Sequence, residues 1–248
     1  MNQIPIRKVH SLIRKHQVRC LLMGGQACIL YGGAEFSKDL DLAVLADANN
    51  LEMLRSALDE LHAERIAVPP FESRYLEMGL AVHFRVGHPD FFGTRIDIMS
   101  KMRNVDSFDV LWERRTTVEY EGDVFEVLAL PDLVKCKKTQ RDKDWPMVAQ
   151  LVAFNYFQNR EAPSEAQIDF WFRELRTPSL LIELAAKFPP DCKRIALDRP
   201  LLNLAAASDP QSLRVELVEE ENREREADRL YWEPLRREIE RLRRERRS

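Results

Sequence analysis

The sequence predicts an α/β domain followed by a mainly helical one, with the change of character near residue 130. Three observations carry this. Apolar runs of strand length alternate with helix-period segments up to Leu128. Breakers punctuate those runs: the pairs Gly24-Gly25 and Gly32-Gly33, and a Gly-His-Pro-Asp-Phe-Phe-Gly stretch at 87–93. Beyond Pro131 the pattern is helical almost throughout, with Pro131, Pro163 and Pro178 near helix starts, where the missing N–H costs nothing. The expected domains are therefore 1–130 and 131–248.

Ile6, Val9, Leu12 and Ile13 recur at helical spacing in a basic segment, giving an amphipathic first helix that ends near Gln17. An apolar strand follows over 18–23. After Gly24-Gly25, residues 26–31 suit a short helix closed by Gly32-Gly33. Asp39-Leu40-Asp41-Leu42-Ala43-Val44-Leu45 opens in strict alternation and becomes wholly apolar, as in a strand that begins at a site and runs into a core. Leu51, Leu54, Leu58 and Leu61 mark a helix. Residues 80–86 and 94–99 read as one hairpin, and 118–120 with 124–128 as a second, turning at Glu121-Gly122-Asp123. Helices are expected over 132–140, 143–157, 164–175 and 179–188. From Ser212 on, a thin stripe of Leu213, Leu217, Leu230, Leu235, Ile239 and Leu242 in a charged background predicts one or two long solvated helices. Their end is locally basic, with seven Arg and three Glu over 236–247.

Composition narrows the function classes. The 248 residues carry 38 Lys and Arg against 41 Asp and Glu, and a net charge of −3 sets up no global field for a polyanion. Cys20, Cys28, Cys136 and Cys192 show no C-x-x-C spacing and read as reduced thiols rather than a disulfide frame or zinc site. No run approaches the ~20 apolar residues that span a bilayer, and the first residues lack a signal-peptide core. A cytoplasmic protein without membrane attachment is expected.

The chemistry concentrates in carboxylates. Residues i and i+2 of a strand share a face ~7 Å apart at a rise of ~3.3 Å per residue, so Asp39 and Asp41 can serve one site. Two same-face acids opening an apolar strand break its burial pattern, as functional sites do. A solvent-exposed strand end is the plainer reading. Asp97, in Arg95-Ile96-Asp97-Ile98-Met99, supplies a third acid ~4.8 Å away if the two strands pair. Unit charges ~5 Å apart repel by roughly 3 kcal/mol at an effective dielectric of ~20, so the cluster calls for cations or protons. Hard oxygen donors suit Mg²⁺, and two ions ~3.5–4 Å apart would serve an in-line displacement. Gly24 and Gly25, between a strand and a helix, offer backbone amides to a phosphate; Ser37 and Lys38 can donate to phosphate oxygens. His83 and His88 flank the first hairpin and read first as structural, although His83 can face the acids from its strand. Phe170-Trp171-Phe172 and Phe154, Tyr156 and Phe157 read as core surfaces of helices rather than stacking platforms.

At this point the chain resembles the nucleotidyltransferase superfamily, in its minimal branch related to abortive-infection and toxin–antitoxin nucleotidyltransferases. The family's strand, G-[GS], short helix, D-h-[DE]-h and later third acid correspond to Gly24-Gly25, Asp39-Leu40-Asp41-Leu42 and Asp97. Ala27 matches the G-G-x-A start, and Phe36-Ser37-Lys38 stands where the family has R-x-T-x-D, without its Arg and Thr. Leu130-Pro131-Asp132-Leu133-Val134, followed by Lys137, Arg141 and Asp144, is similar to a second family segment and would put those three on one helical face. The resemblance implies a nucleotidyltransferase-type mixed-sheet domain and a nucleoside triphosphate as substrate, from which a monophosphate passes to an acceptor hydroxyl as pyrophosphate leaves. It implies that Asp39, Asp41 and Asp97 bind two Mg²⁺, that Asp97 takes the hydroxyl proton, that Gly24, Gly25, Ser37 and Lys38 steady the phosphates, and that Lys137 approaches the nucleotide. The acceptor, whether protein, tRNA or small molecule, stays open. Two other readings compete: a non-catalytic protein of this fold that binds a partner, as in a toxin–antitoxin pair, and a tRNA-modifying enzyme that uses the basic C-terminal arm.

Overall fold

The apolar runs of the first half pair into one seven-stranded mixed sheet in a computed structural model that describes residues 4–33 and 37–247. In chain order the elements are α1 (Ile4–Lys15), β1 (Cys20–Met23), α2 (Gly24–Leu30), β2 (Asp39–Val44), α3 (Ala48–Glu60), β3 (Ala63–Arg65), α4 (Ser73–Met78), β4 (Val82–Val86), β5 (Arg95–Met99), α5 (Phe108–Glu113), β6 (Thr116–Tyr120), β7 (Asp123–Val127) and α6 (Leu130–Lys137). The strands lie in the order β3-β4-β5-β2-β1-β7-β6. β2 runs parallel to β5 and β1 to β7, and the remaining neighbours are antiparallel.

Position in the sheet explains each pattern. β1 sits between β2 and β7 and is apolar and buried along its whole length. In β2, Leu40, Leu42, Ala43 and Val44 are buried while Asp39 and Asp41 stay partly exposed, so the acidic end reaches the rim of the core. Buried Asn50 ties this centre together: its side chain accepts from Arg19 N and donates to the carbonyls of Arg19 and Leu45, leaving its amide satisfied. Both expected hairpins form. The second closes through Glu121 (φ 49°) and Gly122 (φ 83°), the two positive φ values that a tight two-residue hairpin turn requires. β3, α4 and α5 are six residues or fewer, too short for sequence periodicity to mark them.

The chain divides into two compact units. One takes in the sheet with its helices as far as Cys136 and the chain from Tyr231 on; the other comprises Tyr31–Gly33 and Lys137–Leu230. The second unit is built from α7 (Asp144–Asn159), α8 (Glu165–Glu174), α9 (Pro178–Lys187), α10 (Pro189–Ile195), α11 (Leu202–Ala206) and the first part of α12 (Pro210–Glu245). A capping box, Ser164 with Gln167, starts α8. Tyr156, Trp171 and Phe172 are core residues as expected, whereas Phe154 and Phe157 are exposed, a correction to the aromatic reading of α7. The helix expected over 132–140 stops at Lys137. There the chain turns so that Thr139 Oγ1 (2.5 Å) and Arg141 Nε (2.7 Å) donate to the buried Asp144 carboxylate, and Trp145 Nε1 donates to the Thr139 carbonyl (2.8 Å).

α12 serves both units. In the sheet unit Leu235 and Leu242, with Tyr231, Trp232 and Ile239 beside them, pack on Val68, Tyr75 and Leu80. The stripe expected on a solvated helix is therefore core at this end, where a fully buried Leu contributes about 1.5–3 kcal/mol. No helix among the described residues is long and apolar enough to cross a membrane, and the four cysteines are free thiols.

Candidate functional site

Strand register assembles the acids. In the parallel pairing of β2 and β5, Asp41 stands opposite Asp97 and Asp39 opposite Arg95. On the other side of β5, His83 and Arg85 of β4 stand opposite Asp97 and Arg95. Directly paired residues share a sheet face, as do residues i and i+2. One face thus carries a row His83, Asp97, Asp41 and a row Arg85, Arg95, Asp39. The opposite face holds buried Val82, Phe84, Ile96, Ile98, Leu40 and Leu42. All three predicted acids lie on one face, and two of them are direct neighbours.

The glycine pair acts on Asp41. α2 begins at Gly24 itself, so the pair lies inside the helix rather than in a turn before it. A Cβ on Gly24 would overlap the Asp41 carboxylate, and one on Gly25 would meet Ser37 Cβ at 2.7 Å. The Gly25 N–H donates to Asp41 Oδ2 at 3.3 Å. Amides expected to wait for a phosphate are here partly engaged by the protein's own acid. Ser37 Oγ donates to the Asp39 carbonyl (3.4 Å), and its own carbonyl accepts from Gln26 Nε2 (3.0 Å). Lys38 is exposed next to Asp39. Phe36 lies outside the described residues.

Asp97 is held by two side chains. Its Oδ1 accepts from Arg95 Nε at 2.7 Å and lies 2.8 Å from His83 Nδ1, which is also 3.1 Å from Arg95 Nη2. A carboxylate only accepts and a guanidinium only donates, so whichever tautomer His83 takes, Nδ1 can satisfy one of these two contacts and not the other. Burial raises the Asp97 carboxyl, but the hydrogen bonds and charges of His83 and Arg95 outweigh it and hold the group below the ordinary carboxylate value. So held, Asp97 is a weaker proton acceptor than a usual carboxylate. Arg95 is raised, first by its hydrogen bond to Asp97 and further by the charges of Asp97, Asp39 and Asp41. It is the cation of the cluster, and each attraction at ~5 Å offsets roughly 3 kcal/mol of repulsion at an effective dielectric of ~20. The sequence contained this signal, because Arg95 precedes Asp97 by two residues and must share its face; attention to acids alone passed over it.

The donor atoms suit a hard divalent cation in kind. Yet among the described residues no three His, Cys, Asp or Glu side chains are gathered closely enough to hold an ion as they stand. Lys137 belongs to the helical unit, where its Nζ is 3.8 Å from Asp144 Oδ1. Lys137, Arg141 and Asp144 do meet, but across a loop and not along one helical face. His88 accepts from Asp90 N and stacks on Phe91 at 4.9 Å, a structural role. In the basic segment, Arg237 pairs with Glu233 and Arg241 with Glu238 and Glu245, which spends part of its charge inside the helix. Comparison with protein-family models and with curated proteins returned no match.

Proposed function

We propose that the chain is a cytoplasmic, metal-dependent nucleotidyltransferase with a nucleotidyltransferase-type fold, moving a nucleoside monophosphate from a triphosphate to an acceptor hydroxyl as pyrophosphate leaves. The observation that supports it is the register of Asp41 against Asp97, with Asp39 two residues along on the same face, at the strand that follows Gly24-Gly25. Asp39, Asp41 and Asp97 would hold Mg²⁺, in two ions, which supplies charge neutralisation at the phosphates. Gly24 gives the Asp41 carboxylate its room, and Ser37 and Lys38 would steady phosphate oxygens. Because Asp97 is a weak proton acceptor here, these residues would contribute chiefly by positioning and charge.

One observation favours a second reading. Arg95 already neutralises the acids within the protein, as suits a non-catalytic member of the fold that binds a protein partner. Incubation of the chain with each α-labelled triphosphate, Mg²⁺ and cell extract separates the two. Transfer of label by the parent and its loss in Asp41→Asn is the expected result. Equal labelling by both proteins removes the assignment of the site, and no labelling by either leaves the partner-binding reading.

A further inference from the structure

Arg95 reaches its acid through one nitrogen only. Nε donates to Asp97 Oδ1 at 2.7 Å, while Nη2 stands 3.1 Å from His83 Nδ1, a nitrogen that also faces Asp97 Oδ1 at 2.8 Å. A guanidinium bound in its preferred way presents two parallel N–H groups to both carboxylate oxygens. Arg95 lacks that fork and competes with its own acid for His83 Nδ1. Its side chain is 42% exposed, against 16% for Asp97, so the arginine has open space to leave into while the acid is fixed. The charged side chains that share this face are Glu64 from β3, His83 and Arg85 from β4, Arg95 and Asp97 from β5, and Asp39 and Asp41 from β2. Arg85 stands opposite Glu64 at the outer side of β4, whereas Arg95 stands opposite Asp39 and donates to Asp97 on its own strand.

Resting on the metal-dependent reading above, we propose that Arg95 is an exchangeable internal cation: it holds Asp97 in the metal-free protein, in the place of a divalent ion, and releases it when an ion enters among Asp39, Asp41 and Asp97. An arriving ion brings twice the charge and accepts oxygen donors from several sides. The displaced guanidinium, still on the same face, would gain a new partner in a phosphate oxygen. Metal and triphosphate would then bind with positive coupling, each removing an obstacle to the other. The electrostatic cost of seating an ion beside a like charge ~5 Å away makes Arg95 the main antagonist of metal binding by the free protein.

The test is a titration of the full chain with Mn²⁺ alone, following the free-ion electron paramagnetic resonance signal, for the parent, Arg95→Met and Arg95→Lys. Arg95→Met should bind Mn²⁺ about tenfold or more tightly than the parent, with Arg95→Lys, which keeps the charge, close to the parent. Affinities of parent and Arg95→Met within about twofold, or weaker binding by the variant, overturn the exchange while leaving a metal site in place. Binding by Arg95→Met alone makes Arg95 a permanent occupant and overturns the exchange; binding by neither overturns it as well, while the metal-dependent reading is decided separately by the labelled-triphosphate transfer. If Arg95→Met does not fold, the ¹⁵N-labelled parent decides: the Arg95 Nε–H signal should move on addition of Mg²⁺, and an unmoved signal at saturating Mg²⁺ overturns the proposal.

Discussion

The Asp41 carboxylate occupies the volume in which a side chain on Gly24 would begin, with an ideal Cβ there only 2.6 Å from the Asp41 Cβ. Gly24 also holds φ +65°, where other L-residues lose roughly 1–2 kcal/mol. Gly93, at φ +83° with nothing within 4 Å, carries the backbone cost alone. Gly24→Ala should therefore be the more destabilising of the two in urea unfolding, the excess measuring the displacement of Asp41. Equal losses in both variants would show that Asp41 yields freely.

Removing an acid tests which charge balance prevails. Repulsion among three carboxylates alone would make Asp97→Asn stabilising in the metal-free protein. With Arg95 and His83 bonded to Oδ1 the sign reverses, and a loss of roughly 1–3 kcal/mol follows, toward the low end because Arg95 is partly exposed. A thermal melt in chelator should show a fall of about 2–4 °C per kcal/mol. A rise would mean that repulsion dominates.

His10 should govern part of the acid sensitivity. It is buried, stacks on Phe125 at 4.7 Å, and its Nδ1 has no hydrogen-bond partner among the described residues. Burial, with the charge of Arg14 adding to it, lowers its pKa from 6.5 to about 4. The folded chain thus keeps a neutral ring where the unfolded chain takes up a proton. Stability falls as pH drops from 6.5 toward about 4, by up to roughly 1.4 kcal/mol per unit, and levels off below. His10→Phe should flatten urea-derived stability over that window; an unchanged slope assigns the effect elsewhere.

If the proposed function holds, Mg²⁺ with the cognate triphosphate binds the folded state alone. At ~100 times the dissociation constant it adds ~2.7 kcal/mol, or roughly 5–10 °C in the melt. Asp39→Asn and Asp41→Asn should lose most of that shift. No shift with any triphosphate at saturating Mg²⁺ counts against nucleotide binding.

The basic segment divides into structural and exposed positions. Leu242→Ala should cost ~2–5 kcal/mol, since Leu242 is buried in the core cluster that also holds Tyr75, Leu80 and Leu235. Arg243→Ala, at an exposed position, should stay within about 0.5 kcal/mol. RNA affinity lost in Arg243→Ala with stability intact would revive the nucleic-acid arm; truncation cannot address it, because it removes core.

Much of the face was readable along the chain. Alternation placed Asp39 and Asp41 together and gave Asp97 a strand of its own, because a two-residue period is local information. Their union was not readable: it depends on β5 choosing β2 as a parallel neighbour, a pairing across more than fifty residues that no local pattern encodes. The role of Gly24 depends on the same long-range approach. Lys137, Arg141 and Asp144 failed differently. Their spacing fits a helix, but buried Asp144 draws donors from the loop, and Asp228 accepts from Gln140 N (2.9 Å), so tertiary bonds end the helix early. The stripe on α12 was visible, but the surface it covers was not.

That stripe also gives the chain an order of completion. Synthesis delivers Val68, Tyr75 and Leu80 long before Leu235 and Leu242 exist to cover them, with 155 positions from Leu80 to Leu235. At ~5–20 residues per second the apolar patch stays bare on a growing chain for roughly 8–30 s. During that interval the sheet unit is an unfinished client for whatever in the cell binds exposed apolar surface. A chain interrupted before Leu235 would remain in that condition, however much of its acidic face had already formed.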